Sequence, residues 1–148
     1  MKILLCSLLF MFWRPSVIAQ PTAVLQKFIL DLAGKRLSNT ALEEKYFCQM
    51  LFQQQSAASN KARTVMDNYL TLLRSQLTDK QVYTEEIKFV PFNLLSDKDF
   101  ELIGDTQQVY AAQYRGSILC YFLMKEDRID SFLLLNQGGR AYFVSFCE

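Results

Sequence analysis

The sequence predicts an α+β domain: three N-terminal helices packed on a curved antiparallel sheet with a C-terminal four-strand meander. Two periodicities predict it. From Pro21 to about Leu77 apolar residues recur at three- and four-residue steps, the repeat of a helix face. From Asp105 to Glu148 apolar and polar residues alternate in four short runs joined by tight turns. A third observation sharpens the prediction: both faces of that terminal sheet come out apolar. Such a sheet must be covered on both sides, and the helices suffice for one.

The first helix carries Val24, Leu25, Phe28, Ile29 and Leu32 on one face, and Gly34 offers a left-handed stop. Thr40 and Glu43 form a capping-box pattern, hydroxyl at the N-cap and carboxylate three residues on. The second stripe follows as Leu42, Tyr46, Phe47, Met50 and Leu51. Asn60 caps a third helix bearing Val65, Met66, Tyr69, Leu72, Leu73 and Leu77, and all three stripes read as core packing. Ile87, Phe89, Val90 and Phe92 suggest a strand cut short by Pro91. Ser96-Asp97-Lys98-Asp99 opens like a helix cap, so 97–103 is expected to make one or two helical turns before Gly104.

The meander is expected as strands 106–114, 117–125, 128–137 and 140–147, with turns at Arg115-Gly116, Glu126-Asp127 and Gly138-Gly139. Two-residue turns impose a register. Tyr114 faces Ser117, which sets Tyr110 against Tyr121. Lys125 faces Arg128, which sets Tyr121 against Phe132. Gln137 faces Arg140, which sets Leu134 against Phe143. Strict alternation then gives one face with rows Ala111–Cys120–Leu133–Val144 and Val109–Phe122–Ser131–Phe146, expected to lie under the helices. The other face carries Tyr110, Leu119, Tyr121, Phe132, Leu134 and Phe143, the candidate ligand-binding or interface residues. That patch is an interface of a homodimer, a pocket for an apolar small molecule, or ordinary core straddled by the helical half.

Residues 1–19 read as a signal peptide: Lys2, an apolar run from Ile3 to Phe12, then Val17-Ile18-Ala19 as a cleavage site. The run is too short to span a bilayer, so no stable membrane anchor is expected. Removing 19 of 148 residues leaves a single domain over 20–148. Its charge falls from +1 to −1 once Lys2 and Arg14 depart, which argues against nucleic acid as a partner. The chain is thus expected to be exported, periplasmic or secreted. Cys48, Cys120 and Cys147 remain. They read as small apolar core residues, or as one disulfide with a thiol left over, Cys48–Cys120 being the first pairing to test.

The chain has no histidine, which removes the usual general base, the commonest metal ligand and the usual serine or cysteine hydrolase site. All five glycines sit at expected turns or caps, so no phosphate-binding loop is present. Asp97, Asp99 and Glu101 cluster in sequence but lack calcium-loop spacing and read as a solvated helix start. No cofactor and no metal are expected. One acid–base pairing can be drawn, Asp130 with Tyr121, at the rim of the aromatic face. An ordinary salt bridge from Asp130 to Arg128 or Lys125 is the plainer account.

Helices followed by an antiparallel meander, with the paired strands and late Gly-Gly hairpin of Ser117 to Cys147, resemble the nuclear transport factor 2-like superfamily. Such kinship implies dimerisation through the sheet and a pocket between sheet and helices. Some members, similar to ketosteroid isomerase, keep an aspartate base and a tyrosine in that pocket. No residue of this chain matches those positions one by one. Cystatin-like folds share the helix-on-sheet plan, but no inhibitory loop motif is present. The resulting expectation is a non-enzymatic exported domain that self-associates through its sheet or binds an apolar small molecule or partner protein. The alternative is a metal-independent pocket enzyme, isomerase- or hydrolase-like, using Asp130 and tyrosines.

Overall fold

A computed structural model describes residues 20–48, 57–96, 98, 100–102, 108–133, 139–141, 143 and 145–147. The expected signal peptide, Met50, Leu51, Asp97, Asp99 and Leu134 lie outside them. Three helices precede an open four-stranded antiparallel sheet, as the two periodicities require.

Helix α1 spans Pro21–Ala33 with proline at its start, where the missing N–H costs nothing. Leu25, Phe28, Ile29 and Leu32 are fully buried. Gly34 ends the helix, but in right-handed conformation; the left-handed residue is Lys35, at φ 53°. Helix α2 spans Asn39–Tyr46, and its cap is Ser38, whose Oγ accepts from the Ala41 amide, rather than Thr40. Helix α3 spans Ala57–Asp79, four residues longer at its start than the Asn60 cap implied.

Polar bonds stitch the three together. Asn39 Nδ2 donates to Asp67 and Thr71 of α3. Arg74 Nε donates to the Leu32 carbonyl, one of the orphan acceptors at the end of α1. Asp31 accepts from Lys45 Nζ at 2.7 Å and from Tyr46 Oη at 2.6 Å. Those two bonds, Lys45 first, hold the Asp31 carboxyl below its ordinary value. A depressed carboxyl contributes stability above its unfolded value, and that contribution is lost as pH falls through the folded value. Asp31→Asn should therefore lower stability by about 1 kcal/mol at neutral pH. The deficit should shrink as pH falls through that lowered folded value, and chemical denaturation at pH 7 and at successively lower pH checks both limbs.

Strand β1 spans Lys88–Pro91 and lies at a sheet edge, where a terminal proline leaves no ladder bond unmade. Strands β3 (Val109–Tyr114), β4 (Ser117–Lys125) and β5 (Arg128–Leu133) form hairpins at the two expected turns. Tyr114 faces Ser117 and Lys125 faces Arg128, as expected.

Beyond the turns the register departs from strict alternation by one residue. Tyr110 faces Phe122 and Ala111 faces Tyr121, because β4 bulges beside Ala112 and Gln113 with Leu119 as the extra residue. Tyr121 faces Leu133 and Phe122 faces Phe132, because β5 bulges with Asp130 as the extra residue. A bulge places two residues against one and reverses every later side chain.

The expected faces are therefore redrawn. Under the helices lie Ala112, Cys120, Phe122, Met124, Ile129 and Phe132, with Phe28 at the centre. Phe28 meets Tyr46, Phe47 and Phe122 edge to face, with centroids 5.5 to 5.7 Å apart. The opposite face presents Val109, Ala111, Tyr121, Leu123 and Leu133.

That second face has its own cover, and the cover is not helical. After Pro91 the chain makes a 3-10 turn, Phe92–Leu94, and drops Phe92 and Leu95 onto Tyr121 and Ala111. Strand β2, Phe100–Leu102, adds Leu102, and Phe143 completes the cluster. Where a helical turn was expected at 97–103, Phe100–Leu102 is a strand. Its partner is β6, Gly139–Ala141, paired in parallel with Glu101 opposite Arg140. The expected pairing of Arg140 with Gln137 across the glycine pair lies outside the described residues, and the fourth described strand of the main sheet is β1. Among the described residues no helix is long and apolar enough to cross a membrane.

Candidate functional site

The six sheet residues singled out by alternation do not share a face. Tyr110, Leu119 and Phe132 belong to the helix-side core, whereas Tyr121 and Phe143 belong to the opposite cluster. Leu134 lies outside the described residues. Leu119, Tyr121 and Phe132 are buried within the chain, so these members of the patch drawn from alternation are interior packing.

Apolar surface appears instead on α3. Met66, Leu70, Leu73 and Leu77 turn into the core, but Val65, Tyr69 and Leu72 are 41 to 42 % exposed. Their spacing of four and three residues puts them in one ridge beside the buried stripe. All three were expected in the core. The Tyr69 ring anchors the ridge edge-on to Phe132, 5.8 Å between centroids.

The second notable place is the corner where β5 meets the chain end. Phe47 leaves α2 in extended conformation and bridges Ile129 in parallel. The Cys48 amide then donates to the Ile129 carbonyl at 3.1 Å. Arg128 donates to the last carbonyls of α2, Glu44 and Lys45, at 3.1 and 2.7 Å. Those bonds bring Cys48 to Cys147, and the two form a disulfide across 99 residues. The pairing suggested from sequence, Cys48 with Cys120, is not the one made. Cys120 is a lone, fully buried thiol on the sheet's helix side, and burial pushes its pKa up.

Asp130, the bulged residue of β5, is buried beside this bond. Its Oδ1 accepts from the amides of Phe146 at 2.6 Å and Cys147 at 2.8 Å, and from Ser145 Oγ at 2.9 Å. Its Oδ2 accepts from Ser145 Oγ at 2.8 Å. The salt bridge expected with Arg128 or Lys125 is not formed. The carboxylate instead clamps the terminal segment 145–147, and its bonds go to that segment rather than to Tyr121. Together Cys48 Sγ, Cys147 Sγ and an Asp130 oxygen lie within 4.8 Å of one another. Of the other acidic cluster, Glu101 lies on β2, in a strand and not at a helix start.

Comparison with protein-family models, with curated proteins and with solved structures finds no match.

Proposed function

We propose that the chain is an exported, non-enzymatic binding domain that associates through the ridge of α3, most simply with a second copy of itself. The exposed line of Val65, Tyr69 and Leu72 on an otherwise well-packed 23-residue helix is the observation that carries this reading. A helix of that length extends about 34 Å, enough to meet an antiparallel copy across a two-fold axis. After loss of the leader the net charge of −1 leaves little long-range repulsion between copies. The Cys48–Cys147 bond supports export, since disulfides persist in oxidising compartments. Helices followed by an antiparallel sheet support kinship with the nuclear transport factor 2-like proteins, but the contact proposed here is helical.

Sedimentation of the purified protein, expressed with its native N-terminus, tests the reading. A dimer at micromolar concentration that Leu72→Glu converts to monomer, with unchanged circular dichroism, is the expected result. A burial of one leucine at an interface centre is worth about 2 kcal/mol, so the shift in dissociation constant should exceed tenfold. Monomers up to about 0.1 mM, a millimolar-range affinity or weaker, would refute self-association.

A further inference from the structure

The corner of Cys48, Asp130 and Cys147 holds three metal-ligating groups from three separate parts of the chain. We propose that, once its disulfide is reduced, this corner is a three-ligand site for a thiophilic divalent cation of the zinc(II) type. A covalent cross-link would thereby be exchanged for a coordinated one.

The positions of the ligands do not depend on the S–S bond. The Cys48 backbone is fixed by its amide bond to Ile129 and by the Phe47–Ile129 bridge. The Cys147 backbone is fixed by its own amide bond to Asp130. Opening the disulfide therefore leaves two thiols facing one another across a carboxylate. Zinc–sulfur bonds of about 2.3 Å in tetrahedral geometry separate two sulfurs by about 3.8 Å, a displacement that side-chain rotation supplies. The carboxylate oxygen is already within 4.8 Å of both sulfurs.

The carboxylate is also oriented as metal-bound carboxylates are. Oδ1 is held by two backbone amides and Oδ2 by Ser145 Oγ at 2.8 Å, the kind of outer hydrogen bonding that fixes a ligating carboxylate. Two thiolates and a carboxylate make a soft, anionic donor set, which selects zinc(II) over calcium or magnesium. Three protein ligands leave a fourth position for water. Half-buried Cys48 marks the side from which an ion enters.

The chemistry balances as follows. A dithiol reductant gives up two electrons and two protons to the Cys48–Cys147 bond, yielding two thiols and its own cyclic disulfide. Zinc(II) then displaces one proton from each thiol to solvent and forms two zinc–thiolate bonds.

Cobalt(II) titration of the purified protein tests this, with a phosphine as reductant so that no competing thiol is added. The expected result is one cobalt per reduced chain, reported by a thiolate-to-cobalt charge-transfer band, displaced by zinc and absent from the oxidised protein. Cys48→Ser should abolish the band, and Cys120→Ala should leave it unchanged. Asp130→Asn is the decisive variant. Its side-chain oxygen can still accept the Phe146 and Cys147 amides, but the amide carries no negative charge and its nitrogen cannot ligate. It should bind cobalt at least tenfold more weakly. Near-ultraviolet circular dichroism of oxidised Asp130→Asn checks its fold, and Asp130→Glu, which keeps a carboxylate, should bind more tightly than Asp130→Asn. No band in the reduced protein, or equal affinity in parent and Asp130→Asn, would overturn the proposal.

Discussion

Replacing Cys147 by serine should cost the fold about 4.7 kcal/mol, the largest loss expected from any single side chain. The bond closes a loop of 99 residues, and chain entropy sets the effect at that size. It also joins the end of α2 directly to the terminal segment after β6, each of which is otherwise bonded to β5. Urea denaturation should show a lower midpoint for Cys147→Ser and an equal shift for the parent under reductant. Cys48→Ser should match it, because either change removes the same constraint. Cys120→Ala should shift much less, since it deletes one buried sulfur and no cross-link. A Cys147→Ser protein as stable as its parent would mean that the two sulfurs are not joined in solution. Asp130 should moderate the loss, because its bonds to the Phe146 and Cys147 amides survive reduction.

Phe92→Ala should come next, at about 3 kcal/mol. Phe92 is buried against Tyr121, 5.7 Å between ring centroids, and caps the sheet face away from the helices. Its loss leaves a cavity over Tyr121 and Ala111 and loosens the only non-helical cover that face has among the described residues. Beyond the fall in melting temperature, the variant should bind an apolar dye that the parent ignores. A comparable truncation on the helix side, Phe28→Ala, should destabilise as much without opening the second face, because Phe92 and Leu95 still cover that face. Equal dye binding by the two variants would show that the sheet is not shielded separately on its two sides.

The helices and the two hairpins of β3, β4 and β5 were legible from periodicity because each depends on neighbours in the chain. The buried stripe of α1 needed only the three- and four-residue steps of Leu25, Phe28, Ile29 and Leu32. The stop of β1 at Pro91 needed only the missing amide. The hairpins at Arg115-Gly116 and Glu126-Asp127 were set by short turns, whose left-handed residues are Arg115, Gly116 and Glu126. Helix starts were less legible: Ser38 and Thr40 both offer a hydroxyl, and only the path of the chain decides between them.

The candidate sites were scarcely legible. Leu119 and Asp130 carry no local mark of a bulge, yet each is the extra residue of its strand. Once extruded, they shift the register that alternation had fixed from the turns, and the six-residue patch dissolves. The α3 ridge was hidden for another reason. Val65, Tyr69 and Leu72 are as apolar as Met66, Leu70 and Leu73, and a helix alone does not say which of two adjacent stripes meets the sheet.

Sequence by itself determined an α+β chain with helices first, a C-terminal meander, two hairpin turns and no histidine chemistry. Those properties follow from residue identity and spacing within a few positions. Tertiary structure alone decided which strand covered the far face, which cysteine Cys48 would meet, and that Asp130 would grip the chain end. Each of those joins segments tens of residues apart, where the free energy of contact depends on burial and geometry that no local pattern encodes.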